Sequence, residues 1–481
     1  MQQEVSRSTS IDRIAIEQLY GWIDQHVGEI ITALQGVLRI PSLEDTATPN
    51  APFGAGCREA LDYVLELCAE LGMAVHDDSG YAGHAEIGSG SEMVAAIGHL
   101  DVVPEGDGWT YPPYGGELHD GYLYSRGSAD DKGPTFAALY AAVAILKTGV
   151  PIARRIRIIF GCNEESGFGC VTHYWEVSKN ERPVSAFTPD AGFPLIYAEK
   201  GIANLVLTVP VPESGSSLKL IKFTGGRRPN MVPDSAEAAI TGTARDISAA
   251  AAELSKFWDK NVNYEIDSTH LVVRALGKSA HGARPEGGDN AVTRLAKALL
   301  TLNVVGWKKP LESIVKSSDT EGRNLGIAYT DEVAGPLTSN LGIASKASDG
   351  LIELTFNIRY PVTWSIQPLL ERLSGSLDSF DWTLKEYEDQ PPLYVPLDEE
   401  PVATLLRIYR EETGDYTSMP RTMGGGTYAR ATPHAVAYGP GFPGNTDGPA
   451  HEPDERFAIE TLVRACKIYA RALYELANAP L

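Results

Sequence analysis

Imidazole and carboxylate side chains stand at the ends of several apolar runs in this sequence. The runs Met93–Gly98, Ile156–Phe160, Ala186–Pro189 and Ala435–Tyr438 have the length and composition of buried β-strands. Beyond these runs, or ahead of the helical pattern Phe136–Leu146, stand His99, Asp101, Asp130, Asp131, Glu164, Glu165, Asp190 and His451. Because ligands bind at the carboxyl ends of the strands in open α/β sheets, we expect these side chains to converge on one crevice.

Metal binding is the chemistry that this set of donors supports. Imidazole nitrogens and carboxylate oxygens suit zinc, manganese or cobalt. Each piece alone has a simpler interpretation, since a histidine near an acid is usually structural and an Asp-Asp pair commonly caps a helix. Their coincidence at several strand ends favours a metal centre over these separate interpretations.

The elements that position these residues alternate between helix and strand in the first part of the chain. Helical patterns over Ile14–Val37, Arg58–Leu71 and Pro134–Lys147 separate the apolar runs up to about Glu199. This alternation predicts an α/β domain whose central, mostly parallel sheet is flanked by helices.

The pattern changes from about Ala203 onwards. Leu351–Tyr360 alternates apolar and polar residues with a period of two, which is typical of a strand with one buried face. Helical patterns over Asn290–Leu302 and Ile366–Phe380 lie among such strands. Later, Val402–Thr413 and Arg456–Ala477 are again predicted as helices. We therefore predict a discontinuous first domain, residues 1–202 and 394–481, with an inserted α+β domain, residues 203–393.

Composition narrows the class of partner. The 481 residues carry 41 Lys and Arg against 63 Asp and Glu, a formal net charge of −22, which disfavours nucleic acid and anionic membranes as partners. The longest apolar run, Phe136–Leu146, is about half of what a membrane span requires. The five cysteines have no C-x-x-C spacing, and the N-terminus lacks the apolar core of a signal peptide. A cytoplasmic protein is expected.

Six motifs of the chain recur in one enzyme family. They are Gly98–Pro104 (GHLDVVP), Arg126–Gly133 (RGSADDKG), Asn163–Gly167 (NEESG), Thr188–Asp190 (TPD), Ala280–Ala283 (AHGA) and His451–Glu455 (HEPDE). In order and spacing they resemble the di-zinc aminoacylase/carboxypeptidase family of metallopeptidases, over nearly the whole chain. Asn230–Asp234, Phe356–Tyr360, Gly424–Arg430 and an insertion of about 190 residues most resemble its PepV-like, or Xaa-His, dipeptidase group.

The resemblance implies a set of metal ligands. Asp130 is expected to bridge two ions, with His99 and Asp190 completing one site and Glu165 and His451 the other. Two Zn²⁺ ions are implied, with Mn²⁺ or Co²⁺ as alternatives. A shared carboxylate is chemically reasonable because it offsets the repulsion between two neighbouring cations.

The resemblance also implies residues that act on water and substrate. Glu164 is expected to act as the general base on a water that bridges the metals, and Asp101 to hold His99 through its other ring nitrogen. The inserted domain is expected to act as a lid that contributes His281 to the oxyanion and Arg359 to the substrate carboxylate. Asn230 and the loop containing Gly425 are expected to contact the substrate backbone.

The implied activity is hydrolysis of unblocked dipeptides, β-Ala-His among them. Two alternatives stay open: an N-acyl-amino-acid amidohydrolase of the aminoacylase or desuccinylase type, and a catalytically silent peptide-binding relative. The metal ligands do not distinguish the first alternative from a dipeptidase. The second is disfavoured because Glu164, Asp130 and His281 are all present. The enlarged insertion resembles an internal replacement for a partner subunit, so a monomer is expected.

Overall fold

The protein is described here by a computed structural model, which describes residues 12–212, 217–346, 350–444 and 447–479. The chain divides into two compact units. The first contains the described residues of Met1–Tyr197, Val395–Arg421 and Gly426–Leu481, and the second contains those of Ala198–Tyr394 and Thr422–Gly425. The domain bounds predicted from the sequence stay a prediction, and they did not single out the segment Thr422–Gly425.

Helices occur in both units. Within the described residues they are α1 (Arg13–Leu38), α2 (Ala55–Glu70), α3 (Lys132–Thr148), α4 (Gly169–Thr172), α5 (Ala244–Leu254), α6 (Ala291–Leu300), α7 (Val305–Ser317), α8 (Ile366–Phe380), α9 (Val402–Thr413) and α10 (Ile459–Asn478). A π-helical turn (His173–Val177) and two 3₁₀ turns (Pro285–Gly287 and Tyr428–Ala431) complete the helical elements of these residues.

Strands make up most of the remaining regular structure. In chain order they are β1 (Ala74–Asp78), β2 (Ala82–Ile87), β3 (Met93–His99), β4 (Glu117–His119), β5 (Tyr122–Tyr124), β6 (Arg155–Gly161), β7 (Ser185–Thr188), β8 (Ala191–Gly192), β9 (Ile196–Glu199), β10 (Gly201–Pro210), β11 (Lys219–Gly225), β12 (Ser235–Thr241), β13 (Val262–Ile266), β14 (His270–Leu276), β15 (Thr330–Asp331), β16 (Gly335–Pro336), β17 (Thr338–Lys346), β18 (Leu351–Tyr360), β19 (Thr383–Gln390), β20 (Leu393–Tyr394), β21 (Arg421–Met423), β22 (Ala435–Ala437), β23 (Pro440–Gly441) and β24 (Arg456–Ala458).

The first unit is built around a mixed sheet. Six of its strands are hydrogen-bonded in the order β1-β2-β6-β3-β7-β22. The central strands β6, β3, β7 and β22 run parallel to one another, whereas β1 and β2 pair antiparallel. All seven residues of β3 are buried, as expected for a parallel strand covered on both faces. The carboxyl ends of β3, β6 and β7 therefore share one edge of the sheet.

Helix α3 begins two residues after Asp130 and is buried along most of its length. Every residue of this helix from Lys132 to Ile145 is buried, so it lies inside the core of the first unit rather than on its surface. It ends at Gly149, whose φ of 68° is the left-handed conformation typical of a helix C-cap. The start of α3, next to Asp130, is thereby held by the core.

The second unit contains an eight-stranded antiparallel sheet in the order β13-β14-β12-β11-β17-β18-β10-β19. Helices α5 to α8 contribute apolar side chains to its core. Strand β18 buries its apolar face, as predicted, but Asn357 and Arg359 on its other face are also only 1% and 4% exposed. Buried polar residues on a strand require hydrogen-bonding partners, which makes this end of β18 a candidate for function.

The fold class predicted from the sequence is confirmed: an α/β unit with a central sheet flanked by helices, and an inserted α+β unit. The prediction of a helix from Arg456 to Ala477 was wrong at its start. Residues Arg456–Ala458 form β24, which pairs with β5. In the first turn of a helix the N–H groups of these residues would have no partner within the helix, whereas the strand pairing provides main-chain partners. Among the described residues, no helix is both long enough and apolar enough to cross a bilayer.

Candidate metal centre

The carboxylate of Asp130 lies between two imidazoles in the first unit. Its Oδ1 atom is 3.1 Å from Nε2 of His99, and its Oδ2 atom is 3.1 Å from Nε2 of His451. Oε1 of Glu165 is 3.0 Å from the same Nε2 atom of His451. The structure therefore brings together four residues that the sequence predicted as metal ligands.

Asp190 and Glu164 also approach His99. Potential ligand atoms of His99, Glu164 and Asp190 lie within 4.8 Å of one another, as do those of His99, Asp130 and Glu165. Asp190 follows β7 and Glu164 follows β6, so parallel strands deliver both carboxylates to the edge at which β3 ends. All five predicted ligands and the predicted base thus lie in one cluster. Their division into two sites stays a prediction.

Asp101 fixes the loop that carries the two glutamates. Its carboxylate oxygens accept hydrogen bonds from the Glu164 N–H at 3.0 and 2.9 Å and from the Glu165 N–H at 3.0 Å. Nδ1 of His99 is 2.9 Å from the main-chain oxygen of Asp101 but 3.6 Å from its carboxylate. The sequence predicted that Asp101 holds the imidazole. In the structure its main-chain oxygen is the nearer contact, because the carboxylate satisfies N–H groups at the end of β6.

Burial and mutual repulsion perturb the acids of the cluster. Burial raises the pKa of Glu164 well above its ordinary value, and the neighbouring charges of Glu165 and Asp130 raise it further. Burial likewise raises the pKa of Asp190 and of Glu165. Asp130 behaves oppositely, because hydrogen bonds from His451 and His99 outweigh its burial and hold its pKa below the ordinary range.

The histidines respond to this excess of negative charge. Hydrogen bonds to Asp130 and Glu165 raise the pKa of His451 to about 10. Burial opposes protonation of His99, but the nearby Asp101 and Asp130 carboxylates raise its pKa well above the usual value. Four carboxylates face two imidazoles, so positive charge is needed here. Divalent cations would supply that charge, and a donor set of imidazole nitrogen and carboxylate oxygen fits zinc, manganese or cobalt.

Asn230 and His281 lie on neighbouring segments of the second unit. Met231 and His281 form an isolated antiparallel bridge, and the Gly282 N–H donates to the Asn230 main-chain oxygen at 2.7 Å. Nδ1 of the exposed His281 accepts from the Ala283 N–H at 3.2 Å. A neutral imidazole that accepts at Nδ1 carries its proton on Nε2, where it can act as a donor.

Arg359 is held by the same unit. Its Nε donates to Oδ1 of Asn357 at 2.8 Å, and Nη1 donates to the main-chain oxygen of Gly424 at 3.0 Å. A side-chain carbon at Gly282 would lie 3.0 Å from Oδ1 of Asn357, so the Arg359 network adjoins the loop of His281. Gly425 follows Gly424 directly. The catalytic candidate His281 and the three substrate-binding candidates of the second unit therefore lie close together.

Two further residues of the first unit touch the cluster: Asp131, which the sequence placed among the candidates without a role of its own, and Tyr428, which it did not single out. Oδ2 of Asp131 accepts from the His99 N–H at 3.2 Å and from the Thr135 hydroxyl at 2.9 Å, so Asp131 fixes the main chain of a candidate ligand. The buried ring of Tyr428 meets the His99 ring edge to face, with centroids 6.2 Å apart. The available signal for Tyr428 was its place in the Gly-rich motif Gly424–Arg430.

A cluster of imidazole and carboxylate groups at the edge of a mixed α/β sheet is a donor set suited to a metal-dependent hydrolase. Residues 95–475 match the model of peptidase family M20/M25/M40. The chain belongs to this family of metallopeptidases. The family predicted from the sequence is therefore confirmed, while membership of the PepV-like group stays a prediction.

Relatives and solved structures agree with this assignment. The chain is 38% identical over 458 residues to the protein named "Putative dipeptidase YtjP" of Bacillus subtilis, covering 94% of this chain and 97% of the relative. Human carnosine dipeptidase 1 superposes with a TM-score of 0.59 at 17% identity, covering 96% and 99% of the two chains. The M20 family metallo-carboxypeptidase of Sulfolobus solfataricus gives a TM-score of 0.55 at 18% identity, covering 94% and 99%. These two structures share the fold.

Proposed function

We propose that the chain is a metal-dependent dipeptidase that hydrolyses unblocked dipeptides, with β-Ala-His among its candidate substrates. The observation that carries this proposal is the position of the Asp130 carboxylate between the imidazoles of His99 and His451, with Glu164 nearby. The name of the Bacillus subtilis relative, which is similar over almost its whole length, supports dipeptides as the substrate class.

Two Zn²⁺ ions are the proposed cofactors, with Mn²⁺ or Co²⁺ as alternatives. Asp130 would be shared, with His99 and Asp190 on one ion and Glu165 and His451 on the other. When bound, such ions polarise a peptide carbonyl and lower the pKa of water. The excess of carboxylates over imidazoles in the cluster supports this assignment.

Glu164 is the proposed general base. It accepts a proton from the attacking water and passes it to the leaving amine. Its place in the cluster, with potential ligand atoms within 4.8 Å of those of His99 and Asp190, supports this role. The two hydrogen bonds from its main-chain N–H to Asp101 fix the backbone from which its side chain extends.

The second unit is proposed to bind the substrate. His281 donates through Nε2 to the oxyanion, and the Arg359 guanidinium binds the substrate carboxylate. Asn230 and Gly425 contact the substrate backbone. The hydrogen bonds that hold Arg359 to Asn357 and Gly424 support this role, because a positioned guanidinium loses less freedom when it binds a carboxylate.

Replacing His281 with alanine should lower kcat roughly 10²- to 10³-fold and change KM much less, since an oxyanion donor acts mainly in the transition state. His270→Ala is a matched control, because His270 is an exposed histidine of the same unit that pairs with Asp267. Steady-state kinetics on one dipeptide measures both variants. A change confined to KM would assign His281 to substrate binding instead.

Hydrolysis of a small substrate panel tests the proposed function. The panel is Leu-Leu, β-Ala-His, N-acetyl-Leu and Leu-Leu-Leu, with zinc or manganese added and again after chelation. Cleavage of the unblocked dipeptides alone, abolished by the chelator and restored by metal, is the expected result. Preference for N-acetyl-Leu would favour the aminoacylase type, and no cleavage with either metal would favour a silent binding protein.

We further propose that the protein acts as a monomer in the cytoplasm. The five cysteines are unpaired and buried, which suits a reducing compartment. Support for a monomer comes from the length of the inserted unit, which resembles an internal replacement for a partner subunit.

A further inference from the structure

A buried ion pair adjoins the main chain of Asp130. Nη1 of Arg126 donates to Oε2 of Glu455 at 2.6 Å, and the two side chains are 1% and 0% exposed. The other oxygen of Glu455, Oε1, accepts from the Ala129 N–H at 2.9 Å and from the Asp130 N–H at 3.2 Å. One carboxylate thus holds two consecutive peptide groups, including that of the residue between the two imidazoles.

The guanidinium of Arg126 is itself fixed in direction. Its Nη2 atom donates to the main-chain oxygens of Pro104 and Glu105 at 3.3 and 3.1 Å. The indole ring of Trp109 lies with its centroid 5.3 Å from Cζ of Arg126. Because the guanidinium fork is planar and rigid, these contacts determine where Glu455 must place its carboxylate.

The same contacts join two segments that are remote in sequence. Glu455 lies four positions after His451, and its main-chain oxygen accepts from the Ser125 N–H at 3.1 Å. The neighbouring Asp454 accepts hydrogen bonds from the N–H and the hydroxyl of Thr110 at 2.7 and 2.8 Å. The segment that carries His451 is therefore tied to the segment that carries Asp130.

We propose that Arg126 and Glu455 are a positioning pair that sets the Asp130 carboxylate between His99 and His451. No direct contact of this pair with substrate or reacting atoms is part of the proposal. It acts through the peptide groups of Ala129 and Asp130, and through the short connection from Glu455 to His451. The proposal rests on the proposed function, because it takes Asp130 and His451 as metal ligands.

A purely structural role is the competing explanation for this pair. Buried ion pairs cost desolvation free energy, and well-packed apolar replacements are often neutral for stability. Stability alone therefore does not account for a buried charge pair beside a candidate ligand. Groups that orient metal ligands, by contrast, typically change metal affinity about 10- to 100-fold when they are altered.

Zinc affinity separates the two explanations. The full-length protein is stripped with a chelator, and its zinc dissociation constant is measured by competition with a chromophoric chelator. Glu455→Gln removes the charge but not the length of the side chain, and it should raise that dissociation constant about 10- to 100-fold. The visible absorption of the cobalt-loaded variant should shift as well, because the ligand geometry changes.

A matched control is available in α10. Glu475 is another largely buried acid held by arginines, with Oε1 2.6 Å from Nε of Arg471. Glu475→Gln should lower the melting temperature of the stripped protein but leave zinc affinity and the cobalt spectrum unchanged. If Glu455→Gln does not fold, Arg126→Lys carries the same test, since lysine keeps the charge but loses the fork.

Each outcome decides the inference. Weaker zinc binding in Glu455→Gln or Arg126→Lys, with normal binding in Glu475→Gln, supports a positioning pair. A lower melting temperature with unchanged zinc affinity in the first two variants overturns it and leaves the proposed function intact. A wild-type protein that binds no zinc would instead refute the proposed function, and the inference with it.

Discussion

Replacing Glu164 with glutamine should lower kcat roughly 10²- to 10⁴-fold while two zinc ions remain bound. Glutamine keeps the volume of the side chain but cannot accept the proton of the attacking water. The main-chain hydrogen bonds from Glu164 to Asp101 do not involve the side chain that changes, so the loop between β6 and α4 should keep its conformation. The loss should therefore appear in turnover and not in metal content.

Stability of the stripped protein offers a second readout for this variant. Burial and the charges of Glu165 and Asp130 raise the pKa of Glu164, so its ionised form is unfavourable in the folded state. A neutral amide removes that repulsion, and Glu164→Gln should unfold at a temperature no lower than that of the wild type when both are metal-free. Calorimetry at neutral pH measures this difference.

The control for this variant is Glu176→Gln, an exposed acid that pairs with Lys179. Kinetics and metal analysis of both proteins, purified in the same way, complete the experiment. Undiminished kcat in Glu164→Gln would remove Glu164 from the mechanism. A variant that loses both activity and zinc would identify Glu164 as a ligand, a role compatible with its position near His99 and Asp190.

The sequence predicted the cluster because periodicity and strand direction are local properties. The apolar runs ending near His99, Glu164 and Asp190 form β3, β6 and β7, and the parallel register places their carboxyl ends at one edge. Asp130 was predictable for a similar reason, since it stands next to the start of a helix that is apolar all round. Patterns of this kind depend on a few neighbouring residues, so they predict strands and helices without knowledge of the tertiary structure.

Contacts between distant segments were not predictable in this way. Glu455 touches Arg126 across 329 positions, and no periodicity links the two. The hydrogen bonds of Asp101 were likewise not predictable. Its carboxylate accepts from the N–H groups of Glu164 and Glu165, which follow β6, and it lies 3.6 Å from Nδ1 of His99. The sequence assigned Arg359 to the substrate but did not predict that Asn357 and Arg359 are buried, because alternation predicts which residues share a face, and not what covers that face.

Removing the Asp130 side chain should have the largest effect on the cluster. Its two oxygens face different imidazoles, 3.1 Å from His99 and 3.1 Å from His451, so its removal is expected to disturb both proposed metal positions directly. Asp130→Ala should bind neither zinc ion tightly, and kcat should fall at least about 10³-fold, because the ions contribute several kcal/mol of transition-state stabilisation. Metal analysis after dialysis, together with kinetics in excess zinc, measures both effects.

The metal-free form of the same variant gives an independent test of the geometry. His451 has a pKa of about 10 because it hydrogen-bonds to Asp130 and Glu165. Loss of one of these carboxylates destabilises the imidazolium, so the pKa of His451 in Asp130→Ala should fall towards the ordinary value, which an NMR titration of the stripped proteins detects. Asp267→Ala is the matched control, since the exposed Asp267 pairs with His270 in the second unit and contacts no residue of the cluster, and it should keep both zinc ions. Two tightly bound zinc ions in Asp130→Ala would contradict a shared carboxylate. If the pKa of His451 also fell in that variant, Asp130 would be a neighbour of His451 but not a metal ligand.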